Sequence, residues 1–411
     1  MKIAKLKIEN LPKILHVDGD SFFASVETAL DHHLRGKPVV TGGDRGIASA
    51  MSKEAKALGV HRGMPIFKIR KLLPQVIIRS SDYLNYAIFA ERMYAIVRRY
   101  SDDVEEYSID ECFAILDLTS RGLVQEIKTA LQNELGLTFS LGLAPTKTLA
   151  KLASSQNKPD GLTILNSENT NDFLKRFDVG KVWGIGPASA EELRKLGIKT
   201  ALDLRSKTPE WARDNLEKHL LLIYHELRGE NVLSVHTETT ELQKSIQATR
   251  TFSPPSSNAE IILSELSKNI ENAFVKMRRE GQWARKLSYF LKTEEYRYHR
   301  REHIFDVPQN TPEKAVKLVS ESLSKIIQSK TIYRSTGVTL SGLVTKSAIQ
   351  DDLFGTVREQ DDWSTVYKAV EALEGRYGGH VVVLGSSLEA YKRRKMTPHR
   401  HLRIPFIGEV K

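Results

Sequence analysis

Hydrophobic and polar positions change period several times along the chain, and the changes predict its elements. Residues 14–18 (ILHVD) form a short apolar, β-branched run ending in an acid, the pattern of a buried strand that reaches a sheet rim. From Phe22 to about Leu34 the apolar spacing turns helical, and Arg35-Gly36-Lys37-Pro38 breaks it. Val39-Val40-Thr41 predicts a second strand, leading into the turn Gly42-Gly43-Asp44-Arg45-Gly46. Two short helices are expected over 49–58 and 65–73, then a strand at 76–78 and a longer amphipathic helix from Tyr83 to Tyr100. Two strands around Tyr107–Leu116, a helix near 121–135 and a strand from Thr138 to Leu143 follow. This alternation, with a hairpin that carries acids, is an α+β arrangement.

Beyond Phe177 the pattern becomes almost wholly helical to about Val235, and the polar stretch that follows lacks apolar periodicity, as a linker does. The next elements read strand 244–252, helix 258–280, strand 285–292, strand 301–307, helix 312–328 and strand 332–344. That β-α-β-β-α-β order is the signature of a small split-βαβ sandwich. Residues 349–411 are mixed, with an apolar run at Val381–Leu384 and a basic end. At 411 residues, two to four domains are expected.

Composition narrows the class. With 40% hydrophobic and 27% charged residues this is a soluble globular chain. No apolar run approaches the roughly 18 residues a membrane span needs, and the N-terminal stretch carries no signal-peptide core. Cys112 is the only cysteine, which excludes an internal disulfide and a cysteine-built zinc site, so the expected compartment is the reducing cytoplasm. The net charge of +10 points to a polyanionic partner. It is concentrated: between Lys244 and Ala348 there are 18 lysines and arginines against 10 acids. Phosphate binding fits that excess, and a merely solvated basic surface is the other reading.

Two acid clusters sit at predicted strand ends, His16-Val17-Asp18-Gly19-Asp20 and Tyr107-Ser108-Ile109-Asp110-Glu111. Carboxylates converging at a sheet rim repel one another unless a cation sits among them. Mg²⁺ fits, since it prefers oxygen ligands and is commonly shared with substrate phosphates. Three carboxylates from two strands can hold two ions, the arrangement that supports in-line phosphoryl displacement. Acids at strand ends also serve as turn and capping residues, so spacing alone leaves both readings open.

The wording of the motifs goes further. Asp18-Gly19-Asp20-Ser21-Phe22-Phe23-Ala24-Ser25-Val26-Glu27 and Tyr107-Ser108-Ile109-Asp110-Glu111-Cys112-Phe113 strongly resemble the palm motifs of Y-family (translesion) DNA polymerases. Lys147-Thr148-Leu149-Ala150-Lys151-Leu152-Ala153, then Asn157-Lys158-Pro159-Asp160-Gly161, resembles the family's palm ending. The resemblance runs in order over roughly residues 12–350 and is that of a bacterial member between the polymerase IV and polymerase V branches. It implies a right-hand polymerase: an α+β palm (12–26 and 85–173), small fingers (27–84), a helical thumb (174–236), a linker (237–243), a little finger (244–348) and a tail (349–411). It also implies template-directed, low-fidelity DNA synthesis from dNTPs on primer–template DNA by a monomer, with two Mg²⁺ that Mn²⁺ can replace. A catalytically silent, clamp-tethered scaffold is the alternative; loss of one of the three carboxylates would have favoured it, and all three are present.

Carried over residue by residue, the resemblance makes Asp18, Asp110 and Glu111 the catalytic metal ligands, with Gly19 offering its carbonyl. Asp20 is not usually a ligand in the family. Phe22 and Phe23 fall at the substrate, Phe23 as the steric gate against a ribose 2′-OH, and Lys158 matches a triphosphate contact. Lys53 and Lys56 stand where the polymerase IV branch has a Tyr and an Arg; charge is kept, but bidentate phosphate geometry is lost at Lys56.

Val182-Trp183-Gly184-Ile185-Gly186-Pro187 reads as a turn opening into a helix, where glycines let the backbone approach a phosphate and the helix start presents free N–H groups. Its continuation through Leu204 resembles a helix–hairpin–helix, so Gly184 and Gly186 are expected at the DNA backbone. Arg250, Arg285, Lys286 and Lys292 lie on strands of the basic sandwich as candidate phosphate contacts. Gln350, Leu353 and Phe354 fit a Gln-x-x-Leu-Phe pattern resembling the peptide with which bacterial polymerases dock on the sliding clamp.

Overall fold

The computed structural model describes residues 13–44, 46–117, 122–237, 243–349, 356–377 and 381–393. These fall into two compact units that divide at Thr239/Thr240.

The first unit is built on a five-stranded sheet in the order β5-β6-β1-β7-β8. Its strands are β1 (Ile14–Gly19), β5 (Val104–Ser108), β6 (Glu111–Ile115), β7 (Phe139–Ala144) and β8 (Leu162–Ile164). The central strand β1 pairs antiparallel with β6 and with β7, which sets Asp18 directly opposite Glu111 on one side and Ser140 on the other. Side chains alternate between the faces of a strand. Leu15 and Val17 therefore join one core with α1 (Phe22–Leu30), α4 (Tyr83–Val97) and α5 (Leu123–Leu135), as do Cys112 and Ala114 of β6. Ile14, His16 and Asp18 face the other side, together with Glu111 and Phe113. There α6 (Lys147–Gln156) packs so close to β7 that a Cβ on Gly142 would fall 2.1 Å from the Ala150 carbonyl oxygen.

A second core continues from α6 into a helical segment: α7 (Thr170–Leu174), α8 (Pro187–Lys195), α9 (Ala201–Arg205), α10 (Pro209–Asn215) and α11 (Lys218–Arg228). Buried Glu226 ties the two together. Its carboxylate accepts from the backbone N–H of Thr148 at 3.0 Å and of Val232 and Leu233 at 2.9 Å each. One contact caps α6; the other two fix the turn after α11. The stretch of chain between α1 and α4 forms a small lobe with a three-stranded sheet, β3-β2-β4, made of β2 (Val39–Thr41), β3 (Ala50–Met51) and β4 (Ile77–Arg79). Helices α2 (Lys53–Ala57) and α3 (Ile66–Leu72) complete it around Val40, Ala55 and Ile69.

In the first unit two of the expected helices are interrupted. The helix from Phe22 ends at Leu30, because Asp31 takes an extended conformation and its carboxylate caps a separate 3₁₀ turn, His32–Leu34. The helix expected over 49–58 is split: Ala50–Met51 pair with β2, and Ser52 caps a helix that starts only at Lys53.

The second unit has the expected β-α-β-β-α-β order, with strands longer than the periodicity suggested. They are β9 (Ser245–Ser256), β10 (Gln282–Thr293), β11 (Tyr298–Gln309) and β12 (Tyr333–Thr345), in the order β11-β10-β12-β9. α12 (Ala259–Arg279) and α13 (Glu313–Leu323) contribute to the core that covers one sheet face with Ile246, Leu287, Leu291 and Leu340. A further helix, α14 (Thr356–Tyr377), is held to α12 by the Arg278–Glu371 ion pair at 2.7 Å, and α15 (Leu388–Lys392) packs beside it through Ala390 N–H donating to Ser264 Oγ. Among the described residues no helix is long and apolar enough to cross a membrane.

Candidate active site

Asp18 and Glu111 meet because one ends a strand and the other begins its antiparallel neighbour, on the same face. Donor atoms of His16, Asp18 and Glu111 all lie within 4.8 Å of one another. Burial, with Glu111 and Asp110 nearby, raises the Asp18 carboxyl from 3.8 to about 6 even though the Lys158 ammonium is paired with it. Burial alone would also raise Glu111, but hydrogen bonds from His16 and Lys151 reverse that and take it down to about 2. Asp110 stands slightly apart: its Oδ1 accepts from Ser108 Oγ at 2.7 Å, and its backbone carbonyl accepts from the Gly19 N–H at 2.8 Å.

His16 is fully buried, and burial lowers its pKa to about 4. A neutral ring has a single N–H. Nε2 lies 2.9 Å from Glu111 Oε2 and Nδ1 lies 2.8 Å from Ser154 Oγ. The carboxylate can only accept, so the proton belongs on Nε2, and Nδ1 is left as an acceptor beside the Ser154 hydroxyl, whose one proton is shared with the Lys151 carbonyl 2.9 Å away. That chain from α6 through His16 holds one oxygen of Glu111 in place. The Lys151 ammonium sits on the same oxygen and within 4.9 Å of the Tyr107 ring centre.

The residues fit hard divalent cations. Carboxylate oxygens are the donors such ions prefer, and His16 Nε2 is already committed to Glu111. Two ammonium groups, Lys158 on Asp18 and Lys151 on Glu111, answer the negative charge of the cluster, the same demand a cation meets. Asp20 takes no part. It is buried, with Oδ1 accepting from Ser140 Oγ at 2.8 Å and Oδ2 from the Asp160 N–H at 2.7 Å, so it fastens the loop that carries Lys158.

The other expected residues are only partly brought together. Phe23 is half-buried and stacks on Tyr86 with centroids 4.3 Å apart and planes 11° apart, while Tyr86 donates to Glu27 at 2.8 Å. Phe22, expected beside it at the substrate, is instead a core residue, 3% exposed. Successive residues of a helix point about 100° apart, and here Phe22 takes the inward direction. Lys56 donates to Ser21 Oγ at 2.9 Å, next to the start of α1, and Lys53 is exposed one turn away on α2. Gly184 is exposed with φ +87°, a conformation that disfavours other residues, and Gly186 is the N-cap of α8 with Pro187 at its first position.

In the second unit, Arg250 is exposed on edge strand β9. It is paired across from Thr336, whose hydroxyl accepts from Asn269 of α12, so it lies on the helix side of the sheet. Lys286 lies on the opposite face, 3.8 Å from Glu302, and Arg285 is exposed at a bulge between Ala284 and Lys286. The basic residues are thus spread over two faces. Gln350, Leu353 and Phe354, like the basic C-terminal end, lie outside the described residues.

Three family models match the chain: the impB/mucB/samB family over residues 17–155, its IMS family HHH motif over 167–198 and its C-terminal domain over 243–353. A DNA polymerase IV from Desulfatibacillum aliphaticivorans is 32% identical over 385 residues, 91% of this chain and 96% of the relative. One from Methanoculleus marisnigri is 32% identical over 83% of this chain and 98% of its own length. Among solved structures, a Y-family DNA polymerase chimera of Dbh and Dpo4 is similar at TM-score 0.69 and 26% identity, covering 81% of this chain and 99% of that one. An insertion ternary complex of Dbh DNA polymerase covers the same shares at TM-score 0.50 and 25% identity.

Proposed function

The chain belongs to the impB/mucB/samB family, the Y-family of translesion DNA polymerases, and from that premise we propose how its own residues carry out nucleotidyl transfer from a dNTP to a primer 3′-OH. The observation that carries the proposal is the rim of the five-stranded sheet, where Asp18 and Glu111 face each other with Asp110 beside them. Asp18, Asp110 and Glu111, with the Gly19 carbonyl, hold two Mg²⁺, which Mn²⁺ can replace. When bound, such ions lower the pKa of the primer hydroxyl and neutralise charge as pyrophosphate leaves.

The surrounding side chains prepare that site. His16, backed by Ser154, orients Glu111. Lys158 and Lys151 neutralise the carboxylates, and as phosphate arrives Lys158 turns to the triphosphate, where Lys53 and Lys56 add positive charge from α2. Lysine suits this task because its ammonium is a compact charge on a flexible stem. Phe23, held flat by Tyr86, lies under the sugar and excludes a 2′-hydroxyl. Phe22 supports it from the core. Gly184 and Gly186 open the start of α8 to a DNA phosphate, and Arg250, Arg285 and Lys286 add contacts from the second unit. Gln350, Leu353 and Phe354 dock on the sliding clamp, and the enzyme works as a cytoplasmic monomer of low fidelity.

Primer extension on a recessed template with Mg²⁺ and dNTPs tests the core of this reading. The intact chain is expected to extend the primer and Asp110→Ala to abolish extension. No extension by the intact chain, or unchanged extension by Asp110→Ala, rejects it.

A further inference from the structure

Helix α6 lays a row of polar side chains along the acid-bearing face of the first sheet. Lys147 pairs with Glu105 at 2.6 Å, Lys151 with Glu111, and Ser154 Oγ lies 2.8 Å from His16 Nδ1. Steps of four and three residues keep all three on one helix face. Two of these contacts are closed. The Lys147 ammonium reaches both Glu105 oxygens and the Ser234 carbonyl, and the Ser154 hydroxyl lies between His16 and the Lys151 carbonyl. Lys151 differs. Its ammonium has three N–H groups to place. Among the described residues it makes one hydrogen bond, to the Glu111 oxygen that His16 also holds.

The rest of its surroundings is aromatic. Nζ lies 4.9 Å from the Tyr107 ring centre and 6.0 Å from that of Trp183, within the range over which a ring face attracts a cation. The two rings stand at 89° to each other, and the Trp183 indole N–H donates to the Tyr107 hydroxyl at 3.2 Å. Phe113 closes the base of this corner, 5.5 Å from Tyr107 and 6.1 Å from Trp183. Tyr107 sits where β5 slips register against β6, between Glu106 and Ser108. Trp183 comes from the turn before α8, one residue ahead of Gly184.

An ammonium on Glu111 balances a carboxylate whose side chain is only 17% exposed. Once a divalent ion shares that carboxylate, the same ammonium is a like charge a few ångströms away, and in a partly buried site their repulsion is poorly screened. The lysine stem is flexible, and a small rotation carries Nζ onto ring faces already within reach. Indole is the strongest of these faces for a cation.

We propose that Lys151 is a two-position cation, holding Glu111 in the metal-free protein and moving onto the Tyr107–Trp183 corner when a divalent ion binds. It is a positioning residue: it keeps the carboxylate in the site and then withdraws from it. The inference rests on the reading of Asp18, Asp110 and Glu111 as metal ligands. In its second position the ammonium also brings charge beside Gly184, at the turn proposed to meet a DNA phosphate.

The test uses the full-length protein, with tryptophan emission followed during Mg²⁺ titration and affinity read from electron paramagnetic resonance of Mn²⁺. The chain has four tryptophans, so the difference between the parent and Trp183→Phe isolates the one at the corner. In the parent Mg²⁺ should quench emission, because an ammonium arrives against the indole, and Trp183→Phe should remove that quenching. Lys151→Met removes the competing charge and should bind Mn²⁺ about tenfold more tightly, with no quenching by Mg²⁺. Lys151→Arg grips the carboxylate with a planar fork and should bind Mn²⁺ more weakly than the parent. Quenching that survives Lys151→Met overturns the proposal, as does a parent whose emission ignores Mg²⁺. Equal Mn²⁺ affinity in the parent and Lys151→Met also overturns it; if Lys151→Met fails to fold, equal affinity in the parent and Lys151→Arg does the same. Primer extension by the parent, run in parallel, separates the two readings. Extension alongside any of these results rejects the two-position cation alone, whereas neither extension nor Mn²⁺ binding rejects the metal site on which it rests.

Discussion

Asp18→Asn should make the metal-free protein more stable while destroying its activity. In the fold the Asp18 carboxyl is raised from 3.8 to about 6, so ionising it at neutral pH costs more in the native than in the unfolded chain. About two pH units correspond to roughly 3 kcal/mol, and relaxation around the site brings the expected gain to about 2 kcal/mol. The Lys158 side chain, 36% exposed, loses its partner at little cost because water replaces it. The sign follows from proton counts. Between pH 3.8 and about 6 the native state keeps a proton that the unfolded state has lost, so stability attributable to this group falls as pH rises through that window. Above it the penalty is complete; below 3.8 it vanishes. For a unit of this size about 2 kcal/mol is worth roughly 4–8 °C. Calorimetry in EDTA should find the variant higher-melting by that amount at pH 7.5, with the difference shrinking toward zero near pH 4. Excess Mg²⁺ should then raise the melting temperature of the parent and not of the variant, because only the parent binds it well. A variant destabilised at pH 7.5, or a difference independent of pH, would refute the argument.

Three other outcomes are expected. Phe23→Ala should raise ribonucleotide incorporation in single-nucleotide extension by one to two orders of magnitude, about 1.4 kcal/mol for each factor of ten; equal discrimination against rNTP rejects the gate. Glu226→Ala leaves the buried Thr148 N–H and the half-buried Val232 and Leu233 N–H groups without their acceptor and should cost about 2 kcal/mol, read as a lower urea midpoint; a change below about 0.5 kcal/mol would mean that water replaces the carboxylate. Leu353→Ala with Phe354→Ala should remove binding to a bacterial sliding clamp in surface plasmon resonance while leaving primer extension without clamp intact, and clamp binding that survives both changes excludes the docking motif.

The parts of the site that could be read from the chain are those governed by local period. Asp18 and Glu111 end and begin short apolar strands, and alternation alone gives each a fixed side of its strand. The split-βαβ order was legible for the same reason, since helices of 11 and 21 residues with clear stripes separate its strands. What stayed hidden depends on contacts between distant segments. Ser154 reaches His16 across 138 residues and His16 reaches Glu111 across 95, and only the register of β1 with β6 and the close packing of α6 on Gly142 create that chain. Phe22 and Phe23 are adjacent and chemically identical, so the 100° between them on a helix decides which is buried in the core and which is left half-buried on Tyr86. That direction is set by the position of α1 over the sheet.

The same reasoning explains why two aspartates one residue apart have different fates. Asp18 and Asp20 share a strand end, and alternation would send both to the same side. Asp20, however, lies beyond the last ladder residue, where its N–H donates to the Thr138 carbonyl and the chain turns into α1. Its carboxylate accepts from Ser140 and from the Asp160 N–H, so both oxygens are occupied by neutral donors from the protein itself. Asp18 is balanced instead by the Lys158 ammonium, and Glu111 by the Lys151 ammonium on the oxygen that His16 positions, charges on flexible stems that can leave when a stronger cation or a phosphate arrives. A carboxylate tied down by backbone is structural, and one balanced by a mobile charge is available for chemistry. By that criterion the loop from Lys158 to Asp160 serves the site twice: the Asp160 N–H anchors it to Asp20, and Lys158 balances Asp18 with a charge on a flexible stem.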